Sequence, residues 1–433
     1  MSVSVSFVAT GDSFITRRLP ENKKTDQKGI AELIRSADVR FTNFEVTTPG
    51  RDAPPSAFSG GTWASAEEYV IEDLLWFGFN CVNLATNHTL DYLYEGLANT
   101  QKGLEKRGLR YAGAGRNLAE AASPVYLETH NGRVALIGTT STFHESWMAG
   151  NQRRDCQGRP GVNGLRYQTV YQTTSDKLKI LTEIADQTGV NDQRNLDKLE
   201  GFATDDTDRH IEFGSYVFET SSQTGSYRVV NELDMDRVIQ TIHDAKRQAD
   251  YVLVSFHSHE MEGVHKNKPA DFMVEASRRF IDAGAHAVLG HGPHILRGLE
   301  IYKNRPIFYS LGNFIFQNDT VEKLPADFYE KYSLNDEHTV ADALDKRSQN
   351  GKIGLGINPD VWESVIAKWE MTDGKLTQLT LHPIEMGFGT LRYQRGWPEL
   401  SNRSEIISNL QSLSAPFGTS IRWENGMGIV SLN

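Results

Sequence analysis

Short apolar runs alternate with amphipathic helical stretches along most of this chain. Residues 3–10 alternate apolar and polar side chains with period two and lead into Gly11-Asp12, which predicts a first strand. Residues 28–36 carry Ile30, Leu33 and Ile34 on one helical face, and 39–43 form a second strand ending in Asn43-Phe44-Glu45. A helix over 66–77 stops before Gly78, and a buried strand over 80–85 runs into Thr86-Asn87-His88. The next helix, 92–107, closes on Gly108 in the manner of a C-terminal cap. Asn131-Gly132, between strands at 125–128 and 133–139, marks a hairpin.

The pattern weakens from Phe143 to about Ser226. Residues 174–188 and 191–199 have helical spacing, but 153–164 is polar and glycine-rich. Residues 143–226 read as an insertion over the core, in the position of a lid. Regular alternation resumes with a helix over 234–248, which Asp234 would cap, and a strand over 249–256 ending in His257-Ser258-His259-Glu260. A helix over 270–283 is ended by Gly284. Residues 287–290 form a short buried strand, and its exit, His291-Gly292-Pro293-His294, sets two imidazoles on a stiffened backbone. A further strand over 306–311 precedes Gly312-Asn313-Phe314. Past residue 318 the spacing predicts helices within 324–346, a hairpin of 364–371 and 376–382 about Asp373-Gly374, and a helix over 404–414. The chain is therefore α/β. Its core is 1–317, carrying the insertion, and 318–433 is an extension packed on that core.

Composition narrows the class. A chain of 433 residues, 39% hydrophobic and 23% charged, is an ordinary globular protein with a large core. A net charge of −11, with no block of Lys or Arg to offset it, argues against nucleic acid as a partner. It leaves an acidic small-molecule or peptide substrate open, because bound cations reverse the local potential. Cys81 and Cys156 cannot form a disulfide framework, and Cys81 reads as a buried thiol. The amino terminus reads as a strand and not as a signal peptide, and no apolar run reaches the ~18 residues of a membrane span. The expectation is a cytoplasmic chain without stable membrane insertion, of undetermined oligomeric state.

One regularity concentrates the chemistry. Asp12, Glu45, Asn87 with His88, His257 with His259, His291 with His294, and Asn313 all stand just after predicted strands. In sheets with helical crossovers, ligands bind outside the carboxyl ends of the strands, so these positions converge. Carboxylate, amide and imidazole donors without thiolate suit one or two divalent ions of Mn, Zn, Fe, Mg or Ca. His257 and His259 alternate as on a strand edge and should face opposite ways, with His257 the one turned to the site. Asp91 reads as support behind that site and Glu95 as surface. His144, His210, His243 and His338 lack such context and read as solvated.

Taken in order, Gly11-Asp12, Asn43-Phe44-Glu45, Asn87-His88 with Asp91, Ser255-Phe256-His257, Gly290-His291-Gly292-Pro293-His294 and 308–314 (Phe-Tyr-Ser-Leu-Gly-Asn-Phe) are familiar. The set resembles the capsule-synthesis CapA family (poly-γ-glutamate synthesis), a branch of the calcineurin-like metallophosphoesterase superfamily. The likeness spans about residues 3–316. It implies a four-layer αββα fold, a two-sheet β-sandwich flanked by helices. It further implies Asp12, Glu45, Asn87, His257 and His291 as metal ligands and His88 as the catalytic histidine. His294 follows as a further ligand or acid/base group. Asn43, His259 and Asn313 are left to contact substrate, with Arg153 and Arg154 of the insertion as carboxylate clamps. Phe14 and Glu45 stand where the superfamily has His and Asp, the final two histidines are three apart instead of two, and Ser258-His259 replaces a Trp-Gly of many relatives.

Three functions follow from this reading. The first is metal-dependent hydrolysis of an acidic peptide, of the poly-γ-glutamate type, or of a phosphoester. The second is epimerisation at a peptide Cα, with Asp12 and His294 as opposed acid/base groups. The third is non-catalytic binding of a capsule polymer.

Overall fold

The computed structural model describes residues 4–203 and 211–432. Two sheets stack face to face, and the first is organised about the strand Ser4–Phe14. Side chains of a strand point alternately to its two faces. Val5, Phe7 and Ala9 accordingly enter the core between the sheets, while Val8 and Phe14 join the core beneath the outer helices. Phe7 stacks on Trp369 at 5.1 Å between ring centres. Burying a side chain such as Phe7 contributes about 1.5–3 kcal/mol.

Ser4–Phe14 pairs in parallel with Val39–Phe44 and Asn313–Phe316, and antiparallel with Glu363–Thr372. The second sheet is centred on Tyr251–His257, parallel to both Arg133–Thr140 and Ala287–His291. Helices Lys28–Arg35, Val70–Phe77 and Leu93–Lys106 cover the outside of the first sheet. Glu232–Lys246 and Asp271–Ala283 cover the outside of the second. The order of layers is helix, sheet, sheet, helix, the arrangement that the family resemblance implies.

Several elements differ from expectation for identifiable reasons. The first strand runs on through Gly11-Asp12 to Phe14, with a register shift between Asp12 and Ser13. The expected strand at 306–311 stops at Phe308, and a further strand follows it. Arg305–Phe308 stays in the second sheet, the chain turns at Gly312 (φ 69°), and Asn313–Phe316 crosses to the first sheet. Asp234 is not a cap. Asn231 caps that helix by accepting the Asp234 N–H at 3.1 Å, while the buried Asp234 carboxylate accepts from Arg166 and Arg237, each at 2.7 Å. Residues 143–226 contribute most of a separate four-stranded sheet, ordered Ile211–Phe213, Tyr216–Thr220, Tyr167–Thr173, Gly225–Val230. His210 lies outside the described residues.

The hairpin past residue 318 forms as its Asp-Gly signal predicts. Glu363–Thr372 and Lys375–Glu385 pair about Asp373 (φ 49°) and Gly374 (φ 77°). Because this hairpin lies directly against Ser4–Phe14, the segment is built into the first sheet and supplies five of its strands. Cys81 is buried, as expected, and burial pushes its thiol up to about 12. Among the described residues no helix is long and apolar enough to cross a membrane.

Candidate metal centre

Strand register assembles the site as two facing rows. Across the first sheet, Asn313, Asp12, Asn43 and Asn83 stand side by side. Across the second, His291 and His257 are paired neighbours. Asn83 donates to Asn43 Oδ1 at 2.9 Å, and Asn43 in turn donates to Asp12 Oδ1 at 2.8 Å. Asp12 Oδ2 accepts the N–H of Gly292 at 3.0 Å, which ties the two sheets together at the centre. Glu45 enters the same space. Its Oε1 is 3.6 Å from His257 Nε2, 3.8 Å from His259 Nε2 and 3.8 Å from His294 Nε2.

Three overlapping groups in this space have ligand atoms within 4.8 Å of one another: Asp12 with His257 and His291, Glu45 with His257 and His259, and Asp12 with Glu45 and His294. The imidazoles are oriented from behind. Ser255 Oγ sits 2.6 Å from His291 Nε2. Asn313 donates its amide to the carbonyls of His294 and Val361, which leaves Asn313 Oδ1 to accept the Nδ1–H of His294 at 2.9 Å. The Nε2 lone pair of His294 then faces Glu45. Such outer contacts fix the ring orientation of metal-binding histidines.

The electrostatics suit a cation. Burial, then neighbouring histidines, hold His257 and His259 well below the usual imidazole range, and burial lowers His291 to about 4. These rings are therefore neutral, the form that binds metal. Burial, then the charge of Asp12, pushes Glu45 well above the ordinary carboxylate range. Asp12 goes the other way: burial raises it, but the hydrogen bond and charge of His294, with His291 and Asn43, outweigh that effect and lower it. Neither oxygen of Glu45 has a hydrogen-bond partner. A buried carboxylate is ordinarily paired or coordinates a metal, and this one has acceptors to spare. The residues thus fit a divalent ion.

His88 stands at the rim. Its Nδ1 is 2.7 Å from Asp91 Oδ2, and its ring meets Phe14 edge-on at 5.3 Å. Asp91 also accepts the N–H groups of Gly60 and Ala64, at 3.2 and 2.7 Å. Gly60 lies so close that a Cβ there would come within 2.5 Å of Asn87 and 2.8 Å of the His88 ring. The loop carrying Gly60 therefore acts as a wall against the Asn87-His88 pair, and Asn87 Nδ2 donates to the Gly60 carbonyl at 3.1 Å. That bond turns Asn87 Oδ1 toward His257 Nε2, 2.9 Å away.

The structure brings Asp12, Asn43, Glu45, Asn87, His257, His259, His291, His294 and Asn313 together, with His88 and Asp91 beside them. His259 corrects the alternation argument. The strand ends at His257, the chain turns, and His259 Nε2 comes back to 3.1 Å from His257 Nε2. Arg153 and Arg154 make none of the centre's contacts among the described residues; both are exposed, and Arg153 pairs with Asp155 at 3.1 Å. Three positioning residues escaped the sequence reading. Arg297, 1% exposed, donates to the carbonyls of Ser258 and His259, each at 3.2 Å, and so holds the turn that returns His259. Glu260 accepts from Ser141 and Ser258 at 2.7 and 2.9 Å. Asn83 is a third, and its only signal was its place in the strand beside Asn43.

Fold and site together define an α/β two-sheet protein with a buried Asp/Glu/His centre at its strand ends. The chain belongs to the bacterial capsule synthesis protein PGA_cap family, whose model matches residues 6–318. It is 34% identical over 440 residues to the uncharacterized protein y4sH of Sinorhizobium fredii, spanning 99% of this chain and 93% of that protein. It is 25% identical over 288 residues to the capsule biosynthesis protein CapA of Bacillus anthracis, which spans 66% of this chain and 52% of that one. It is 24% identical over 321 residues to the PGA biosynthesis protein CapA of Bacillus subtilis, spanning 72% and 63% respectively. The family resemblance read from the strand-end motifs is confirmed.

Proposed function

We propose that this chain is a metal-dependent hydrolase acting on an amide bond of an acidic, γ-glutamyl-type peptide. The observation that carries the reading is the Glu45 carboxylate, fully buried among imidazoles, with both oxygens unpartnered. Asp12, Glu45, Asn87, His257 and His291 would hold the metal, with His259 and His294 as additional donors. The imidazole-rich set suits Zn, Mn or Fe better than Mg or Ca. When bound, a divalent ion supplies Lewis acidity and a water that ionises near neutral pH.

The chain's own groups do the rest. Asp91 takes the Nδ1–H of His88, which leaves Nε2 to hold and deliver the proton that the departing amine needs. Asn43 and Gly292 fix the Asp12 carboxylate from two sides. The names of the Bacillus relatives, which refer to capsule and PGA biosynthesis, support an acidic polymer or peptide over a phosphoester.

Epimerisation ranks second. It requires Asp12 and His294 on opposite sides of a Cα–H, whereas Asp12 Oδ2 and His294 Nδ1 are 3.5 Å apart, in direct contact. The test is elemental analysis of bound metal together with turnover of poly-γ-glutamate and of an aryl phosphate, for wild type and for Glu45→Ala, His88→Ala and His291→Ala. Loss of metal in the first and third and loss of turnover in all three is expected. Full activity in all three sinks the proposal. Deuterium uptake at Cα in heavy water without bond cleavage supports epimerisation, and binding without turnover in the metal-loaded protein supports a polymer-binding role.

A further inference from the structure

A cavity of about 310 Å³ opens beside the metal centre. His88 and His294 line one side, and Arg347, Arg392 and Arg395 line the other. All three arginines come from the segment beyond residue 318, where the family match ends.

Two of them are locally paired. Arg395 Nε donates to Asp319 Oδ2 at 3.0 Å, and its guanidinium lies 4.7 Å from the Trp362 ring centre. Arg392 donates to Asp345 at 2.7 Å. Arg347 differs. Among the described residues no carboxylate lies within ion-pair distance of it, its Nη1 donates to the Thr62 hydroxyl, and its guanidinium sits 5.8 Å from the Phe328 ring centre. Thr62 and Phe328 therefore position the guanidinium while most of its five N–H donors remain for a ligand. Three arginines line the cavity against a single lining carboxylate, Asp319. In a chain of net charge −11 this is a local reversal of sign.

We propose that the C-terminal segment builds an anion subsite in which Arg347, assisted by Arg392, receives a carboxylate of the substrate that flanks the bond at the metal centre. The planar guanidinium fork matches a carboxylate bidentately, so the subsite selects acidic over amidated peptide. This inference deepens the hydrolase reading and rests on it for the place of the scissile bond. The subsite also accounts for what lies outside the family match: the helix Val340–Arg347 and the loop carrying Arg392 and Arg395 supply specificity, and the shared strand ends carry the metal.

The test is calorimetric titration of the full, EDTA-stripped chain with tetra-γ-glutamate, with its fully amidated counterpart and with inorganic phosphate at low salt. Tetra-γ-glutamate should bind, the amidated peptide at least about tenfold more weakly. Arg347→Gln and Arg392→Gln should each weaken the acidic peptide by about tenfold to a hundredfold, and Arg347→Lys less. Arg153→Gln, at an exposed arginine that makes none of the centre's contacts, should bind as wild type does. Thermal melts of each variant separate lost binding from lost folding. Equal binding of acidic and amidated peptides overturns the proposal. So does wild-type affinity in folded Arg347→Gln and Arg392→Gln, or Arg347-dependent binding of phosphate alone. The expected binding pattern with no turnover of any peptide leaves the subsite standing and sinks the hydrolase reading alone.

Discussion

Glu45 Oε1 lies 3.6 Å from His257 Nε2, and both side chains are fully buried. Without a cation, this contact joins a carboxylate lacking hydrogen bonds to an imidazole kept neutral by burial. Leaving a buried polar group unsatisfied costs about 1–3 kcal/mol, and a charged one more. Because burial and Asp12 already push Glu45 well above the ordinary carboxylate range, Glu45→Gln exchanges one neutral buried group for another and removes a ligand. In EDTA the variant should match wild-type stability to within about 1 kcal/mol. On addition of Zn²⁺ or Mn²⁺ the wild type should gain stability, and the variant should gain little. Thermal melts with and without metal check this, and an equal metal-induced gain in both proteins rules Glu45 out as a ligand.

Asp91 touches His88 and two backbone N–H groups but none of the grouped metal donors. Its removal should therefore separate catalysis from metal binding. Asp91→Asn keeps only one of the two backbone contacts, because Gly60 and Ala64 donate to different oxygens, and disturbs the His88 tautomer. Turnover should fall by about tenfold to a hundredfold with metal content unchanged. His88→Ala should cost more, about 10²–10⁴-fold. Metal loss in either variant would move the pair from proton transfer to ligation.

Much of the centre was legible in the sequence because its residues sit where apolar runs stop. Asp12, His257 and His291 stand in the last residues of buried strands, Glu45 and Asn87 just beyond them, and parallel strands deliver their ends to one place. What failed was local geometry. His259 was assigned to the far side because period two was extended one turn past the strand end. The anion cavity was invisible for a different reason. Arg347, Arg392 and Arg395 are brought to one wall by a segment whose long hairpin joins the edge of Ser4–Phe14, a contact between residues more than three hundred and fifty positions apart. No spacing within the segment announces it. Arg153 and Arg154, closer together and more conspicuous, lie in an exposed loop.

Gly11 sets how closely two parallel strands approach at Asp12. A Cβ at this position would lie 1.9 Å from the Gly312 carbonyl oxygen, and that oxygen accepts the Asp12 N–H at 2.9 Å. Both contacts are backbone, so no side-chain rotation relieves the clash. Gly11→Ala should force the strands Ser4–Phe14 and Asn313–Phe316 apart, displacing Asp12 from Gly292 and Asn313 from His294. Overpacking of this kind costs about 1–3 kcal/mol, occasionally more. The expected result is a lower melting temperature together with reduced metal affinity. A melting temperature and metal content equal to wild type would show that the junction yields without moving the site.

His286 gives a pH dependence that is independent of the metal centre. The ring is 5% exposed, and its Nδ1 accepts the Val252 N–H at 3.0 Å. Burial, then the charges of Arg305 and Lys246, lowers its pKa from 6.5 to about 3. Between those values the unfolded chain binds a proton that the folded chain refuses. Stability therefore falls as pH drops below about 6.5, by at most about 1.4 kcal/mol per unit from this residue, and is indifferent to it above that pH. His286→Asn offers an oxygen for the Val252 N–H and cannot titrate. In EDTA, the stability of wild type should fall more steeply than that of the variant between about pH 6.5 and about pH 5, by up to about 2 kcal/mol. Denaturant unfolding at these pH values measures the difference directly, since every other titrating group is common to both proteins. Parallel curves would mean that His286 gains its proton in the folded state as readily as in the unfolded one.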